Sequence, residues 1–135
     1  MATTTIKMNY GDSGVSGCHV SEASPTSNKN SEKYMLCGCG GSTTKNYYVY
    51  LKFPIKTKIP SGSRITKATL SLYVYDGSDD WVNTEVSFIC KRVTSSWTAS
   101  SVTWDTKPTA TTSYVNTTGY KVGTGRCNFT VTDIV

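Results

Sequence analysis

The side chains best suited to meeting a ligand in this 135-residue chain are tyrosines, nine of them against three phenylalanines and three tryptophans. Four fall in two spaced pairs: Tyr48 and Tyr50 in NYYVYLKFPI, and Tyr73 and Tyr75 in TLSLYVY. Residues two apart on a strand share a face. Each pair would therefore present two flat, polar-tipped rings side by side, a surface on which sugar rings can stack. Tyr48, Tyr50, Tyr73 and Tyr75 are accordingly the candidate ligand-binding residues. The plainer alternative is a half-buried sheet face covered by the N-terminal segment.

Other chemistry is sparse. Asp76, Asp79 and Asp80 cluster in an acidic turn with Gly77 and Ser78, and clustered oxygen ligands suit a hard cation such as calcium. Their positions do not match a calcium loop, and Asp/Gly/Ser clusters build turns. No cofactor is expected, and these three carboxylates are where a calcium ion would go if the turn took one. Cys37-Gly38-Cys39 and the single histidine, His19, do not have zinc-site spacing. The five cysteines are odd in number and irregular in spacing, a poor disulfide framework, and are read as small apolar side chains. With one histidine, no Ser/His/Asp set, no paired carboxylates and no phosphate loop, the chain is not expected to be an enzyme. Asp105, a lone acid beside Trp104, is read as a turn cap.

Partner classes narrow further with charge and hydropathy. The net charge is +5 with a pI near 9.0, but the basic residues spread from Lys7 to Arg126 without a stripe. No nucleic-acid partner is expected. No run is apolar for the roughly 20 residues a membrane helix needs, so no membrane association is expected. MATTTIKMNYGDSG has no apolar signal-peptide region, which predicts a protein assembled in the cytoplasm.

The elements that must hold the tyrosines are strands. Residues 1–17 read as an N-terminal extension in which alternation over residues 3–8 permits an edge strand, broken by Gly11 and Gly14. CHVSEASPTSN is a short strand running into a turn at Ser24-Pro25, and KYMLCGCGG is a second. In NYYVYLKFPI, parity puts Tyr47, Val49, Leu51, Phe53 and Ile55 in the core and Tyr48, Tyr50 and Lys52 on the other face. Pro54 marks an edge or bulge. RITKATLSLYVYDG supplies Ile65, Ala68, Leu70, Leu72 and Val74, with a phase slip near Lys67 that predicts a bulge. TEVSFICKRV, partly apolar on both parities, reads as a central strand. A short piece at residues 112–116 and a last strand, GRCNFTVTDIV, with Cys127, Phe129, Val131 and Ile134 inward, complete the set. No capping signal precedes a helical period. The class is all-β, a jelly-roll-like antiparallel β-sandwich over residues 18–135.

One stretch fits neither strand nor helix: RVTSSWTASSVTWDTKP, residues 92–108. A long irregular loop is uncommon in a compact domain unless it is pinned or does a job. Trp97 and Trp104 could pin it, or could be an exposed platform.

With the strands placed, LKFPIKTKIPSGSRITKATLSLYVY followed by RVTSSWTASSVTWDTKP resembles the DNRLRE-type β-sandwich domains. These occur in bacterial cell-surface, archaeal S-layer-like and phage proteins and overlap a group of carbohydrate-binding modules. HVSEASPTSN is similar to that family's opening, in which a Ser-Pro-x-x-Asn turn precedes a short strand. Two departures stand out. Ala99 occupies a position where the family commonly has an acid, and the family domain continues past the segment at which this chain ends. The resemblance thus implies a domain that runs on beyond Val135, or a last strand supplied by residues 3–8 or by a neighbouring subunit. Trp81, beside the acidic turn, is read from its position as closing one end of the core, and the resemblance implies that Trp97 and Trp104 are structural anchors. Two functions follow from it. The first is a non-catalytic structural or attachment module of a bacteriophage virion (decoration, tail or fibre), partnered by other virion subunits and touching host surface glycans. The alternative is a polysaccharide-binding module of a secreted enzyme or cell-surface protein, located outside the cell.

Overall fold

The computed structural model describes residues 4–40, 45–74, 85–121 and 125–135. Tyr75, Asp76, Asp79, Asp80 and Trp81 lie outside the described residues. The described elements are nearly all strands: β1 (Ser16–Ser21), β2 (Gly38–Gly40), β3 (Lys45–Lys52), β4 (Thr69–Val74), β5 (Glu85–Cys90), β6 (Val115–Lys121) and β7 (Gly125–Thr130). The exceptions are a four-residue helical turn, α1 (Ile55–Lys58), and a short 3-10 turn at Thr132–Ile134. The all-β class follows. Among the described residues no helix is long and apolar enough to cross a membrane.

The chain forms two compact units interleaved in sequence. The first comprises Met1–Ser63 with Ser95–Pro108, the second Arg64–Thr94 with Thr109–Val135.

In the first unit, β3 lies between β1 and β2, antiparallel to both. Cys18 pairs with Tyr50 and Val20 with Tyr48, while His19 pairs with Val49. Directly opposed residues share a face, so Cys18, Val20, Tyr48 and Tyr50 form one side. That side carries the core: Cys18, Val20 and Val102 are fully buried, and Tyr50, Trp97, Ala99 and Trp104 pack half-buried against them. This corrects the parity reading, which puts the core on the Tyr47, Val49 and Leu51 face. The cause is the tryptophan loop, which folds over the other face, and alternation within a strand cannot register cover brought from fifty residues away. β1 is buried from Gly17 through Ser21, and burial on both sides erases alternation.

Other expectations also change. Residues 4–15 run as turns and irregular backbone, so alternation over residues 3–8 makes no edge strand among its described residues. β3 ends at Lys52, because Pro54 has no N–H for a ladder. Ile55 instead begins α1, so Phe53 and Ile55 are not strand-core residues.

In the second unit β4 pairs with β7 and β5 with β6, both antiparallel. Leu70 opposes Phe129 and Leu72 opposes Cys127. Cys127, Phe129 and Val131 form the buried centre, joined by Ala68, Leu70, Leu72, Val74, Phe88, Cys90, Val115 and Ile134. The Phe88 and Phe129 rings meet edge-on at 6.3 Å and 72°, a favoured aromatic geometry. The phase slip near Lys67 is the entry to β4, where Ala68 N–H bonds Thr132 Oγ1 at 3.0 Å. The register shift lies instead between Val86 and Phe88. β5 is not apolar-buried on both sides: Phe88 packs inward and Ile89 is exposed. β6 is longer than the short piece read at residues 112–116, since its threonines and Gly119 blur any alternation.

Candidate functional site

β3 places Tyr48 and Tyr50 on one face, about 7 Å apart along the strand. The loop of the same unit then lays one indole against each. Trp97 meets Tyr50 at 5.7 Å and 54°, and Trp104 meets Tyr48 at 5.0 Å and 36°. Tyr50 is half-buried, and its hydroxyl pKa is pushed up, first by burial and then by Tyr48. Tyr48 keeps 47% of its surface exposed, so its ring is braced on Trp104 and still open to a ligand. The Lys107 ammonium stands 3.8 Å from the centroid of the Trp104 ring. It also donates to the Trp104 carbonyl at 2.5 Å, which fixes the cation over the indole.

The loop holds its shape by local polar contacts, the behaviour expected of serine and threonine outside regular structure. Ser101 and Val102 N–H both bond the Thr98 carbonyl, and the Thr98 and Ser101 hydroxyls are 2.5 Å apart. Thr103 and Thr106 exchange backbone N–H to hydroxyl bonds at 2.9 and 3.3 Å. These residues enclose an open recess of about 310 Å³ lined by Ser96, Trp97, Thr98, Ser101, Val102 and Thr106. Its volume is at the small end of ligand pockets, and its lining combines hydroxyls with the Trp97 indole and Val102.

The turn at residues 24–28 abuts this loop. Asp105 N–H bonds the Pro25 carbonyl at 3.0 Å, and the Asn28 amide donates to the carbonyls of Ala99 and Val102. On the opposite face of β1, His19 is 1% exposed. Its Nε2 is 3.4 Å from Glu32 Oε2, and Glu32 Oε1 is 3.1 Å from Lys29 Nζ. Burial holds the imidazole pKa below its usual value, with Glu32 pulling upward and Lys29 downward. Among the described residues no three His, Cys, Asp or Glu side chains gather where a metal could sit.

The structure thus brings Tyr48, Tyr50, Trp97 and Trp104 together. Tyr73 lies in the second unit, 60% exposed on β4 opposite Arg126. Sequence reasoning missed Lys107, Asn28 and the recess hydroxyls. The Ser/Thr density of the loop was the visible signal for the recess hydroxyls and the Ser-Pro-x-x-Asn turn that for Asn28, while Lys107 had none.

The sequence profile of carbohydrate-binding module family 96 matches residues 12–135. Neither the curated proteins nor the solved structures contain a significant match to the chain. Modules of such a family are non-catalytic by themselves. The match takes in β3, the tryptophan loop and the turn beneath it, and on that span the chain belongs to carbohydrate-binding module family 96.

Proposed function

We propose that the chain binds a polysaccharide by stacking a sugar ring on Tyr48, with Trp104 as the fixed backing and the loop recess meeting neighbouring hydroxyls. The observation that carries this is the Tyr48–Trp104 ring contact at 5.0 Å with the tyrosine still half exposed. An aromatic ring that is both rigid and accessible offers a large apolar face at little entropic cost on binding. Trp97 and Trp104 then serve as anchors of the loop, and Tyr50 belongs with them more than with the ligand.

Family membership supports carbohydrate binding as such. It suits a module of a secreted enzyme or cell-surface protein as well as a virion component that touches host glycans, and it lends nothing to partnership with virion subunits.

The test is retention of wild type and Tyr48→Ala in native gels cast with a panel of neutral and acidic polysaccharides. Tyr48→Ala is expected to lower affinity roughly tenfold or more, about 1.4 kcal/mol. Loss of the ring pair should also lower stability by about 0.5–1.5 kcal/mol, so both proteins are run at a temperature where each is fully folded. Equal retention of the two proteins would overturn stacking on this ring.

A further inference from the structure

We infer that Asn28, which lies beneath the tryptophan loop, is the positioning residue that sets the geometry of the Tyr48–Trp104 shelf; this rests on the reading of that shelf as the polysaccharide site. The Asn28 amide is fully used. Its Oδ1 accepts the Asn30 N–H at 3.1 Å, and its Nδ2 donates to the Ala99 carbonyl at 2.9 Å and the Val102 carbonyl at 2.6 Å. A backbone N–H can only donate and a carbonyl can only accept, so these partners fix which way the amide points. One acceptor and two donors on so short a side chain is a combination unique to asparagine.

The two carbonyls are placed to matter. They lie 71 and 74 residues along the chain from Asn28, Ala99 two positions after Trp97 and Val102 two positions before Trp104. One amide therefore clamps both halves of the turn between the indoles. The Pro25–Asp105 bond adds a second clamp immediately after Trp104. Within the turn, Val102 is 2% exposed and packs with Cys18 and Val20, so its carbonyl has little water to fall back on if the amide is lost. Displacing the turn by an ångström would move Trp104 off Tyr48, and a binding shelf is only as precise as the shell that supports it. Asn28 thus governs affinity through the position of Trp104.

The test compares Asn28→Asp with Val49→Ala, a β3 control on the opposite face. Each protein is assayed at a temperature where it is fully folded, against the polysaccharide that wild type retains best. Asn28→Asp removes both donors and sets a carboxylate against two carbonyls. It is expected to lower affinity tenfold or more at pH 8 and to change the near-ultraviolet circular dichroism of the coupled rings. Affinity should partly recover as the pH is lowered and the introduced carboxyl takes up a proton, because it then regains one donor. Val49→Ala should match wild type in affinity, spectrum and pH profile. Wild-type affinity and spectrum in folded Asn28→Asp would overturn the inference, as would a loss that Val49→Ala shares. If instead wild type retains no polysaccharide, it is the shelf reading that has failed. The spectrum then decides for Asn28 alone: a changed ring signal supports its positioning role and an unchanged one overturns it.

Discussion

The His19 imidazole, 1% exposed, has its Nε2 3.4 Å from Glu32 Oε2 while its Nδ1 finds no partner among the described residues. A ring in this setting is held neutral: burial lowers its pKa from 6.5, and the partial counterweight from Glu32 does not reverse the direction. The unfolded chain therefore binds the proton first as the pH falls, and stability is lost from about pH 6.5 downward until the folded-state pKa is reached. Melting temperatures should fall between pH 7.5 and 5.5 in wild type and stay flatter in His19→Gln. An equally steep decline in His19→Gln would assign the effect to other groups.

Trp104 packs on the Cys18, Val20 and Val102 cluster but is only half-buried. Truncation to alanine should therefore cost less than the 3–5 kcal/mol of a fully buried aromatic, about 2–3 kcal/mol. Trp97→Ala should behave alike, since it packs on the same cluster. Urea unfolding of the single variants gives the measurement. A midpoint identical to wild type would show that the indoles do not fasten the loop.

Gly17 is buried where β1 passes between three side chains. A Cβ there would come 2.8 Å from Leu51 Cδ2 and 3.2 Å from both Met35 Sδ and Tyr10 Cε2. Gly17→Ala is thus an overpacking change, with an expected loss of about 1–3 kcal/mol. All three contacts are side-chain atoms, which puts the value toward the lower end. Thermal unfolding checks it, and an unchanged midpoint would mean that Leu51, Met35 and Tyr10 swing aside without cost.

These cases show which parts of the molecule were legible in the chain. Leu70, Leu72 and Val74 alternate with Thr69, Ser71 and Tyr73 because only one side of β4 meets a core. The same holds for Cys127 and Phe129 on β7. On β3 the rule failed, because its apolar Tyr47, Val49 and Leu51 parity is matched by tyrosines whose cover arrives with a loop distant in sequence. The site was half legible for the same reason. Tyr48 and Tyr50 stood out by type and spacing, whereas Asn28 and Lys107 acquire roles only through contacts made by folding, Asn28 across the chain and Lys107 over the Trp104 ring.

Tyr73 supplies the sharpest separation of the two tyrosine pairs. It is the more exposed ring, at 60% against 47% for Tyr48. Exposure alone is a weak sign of a binding residue, since single apolar groups at a surface are ordinary. Among the described residues, the companions of Tyr73 on the β4–β7 face are Thr69, Ser71, Arg126, Asn128 and Thr130, with no second ring to brace it. A ring that must be immobilised by the ligand gives back in entropy part of what stacking gains. Tyr73→Ala should accordingly leave polysaccharide affinity within about twofold of wild type while Tyr48→Ala loses roughly tenfold. Affinity gels run on both variants with the same polysaccharide decide it. A tenfold loss in Tyr73→Ala with no loss in Tyr48→Ala would move the site to the outer face of β4.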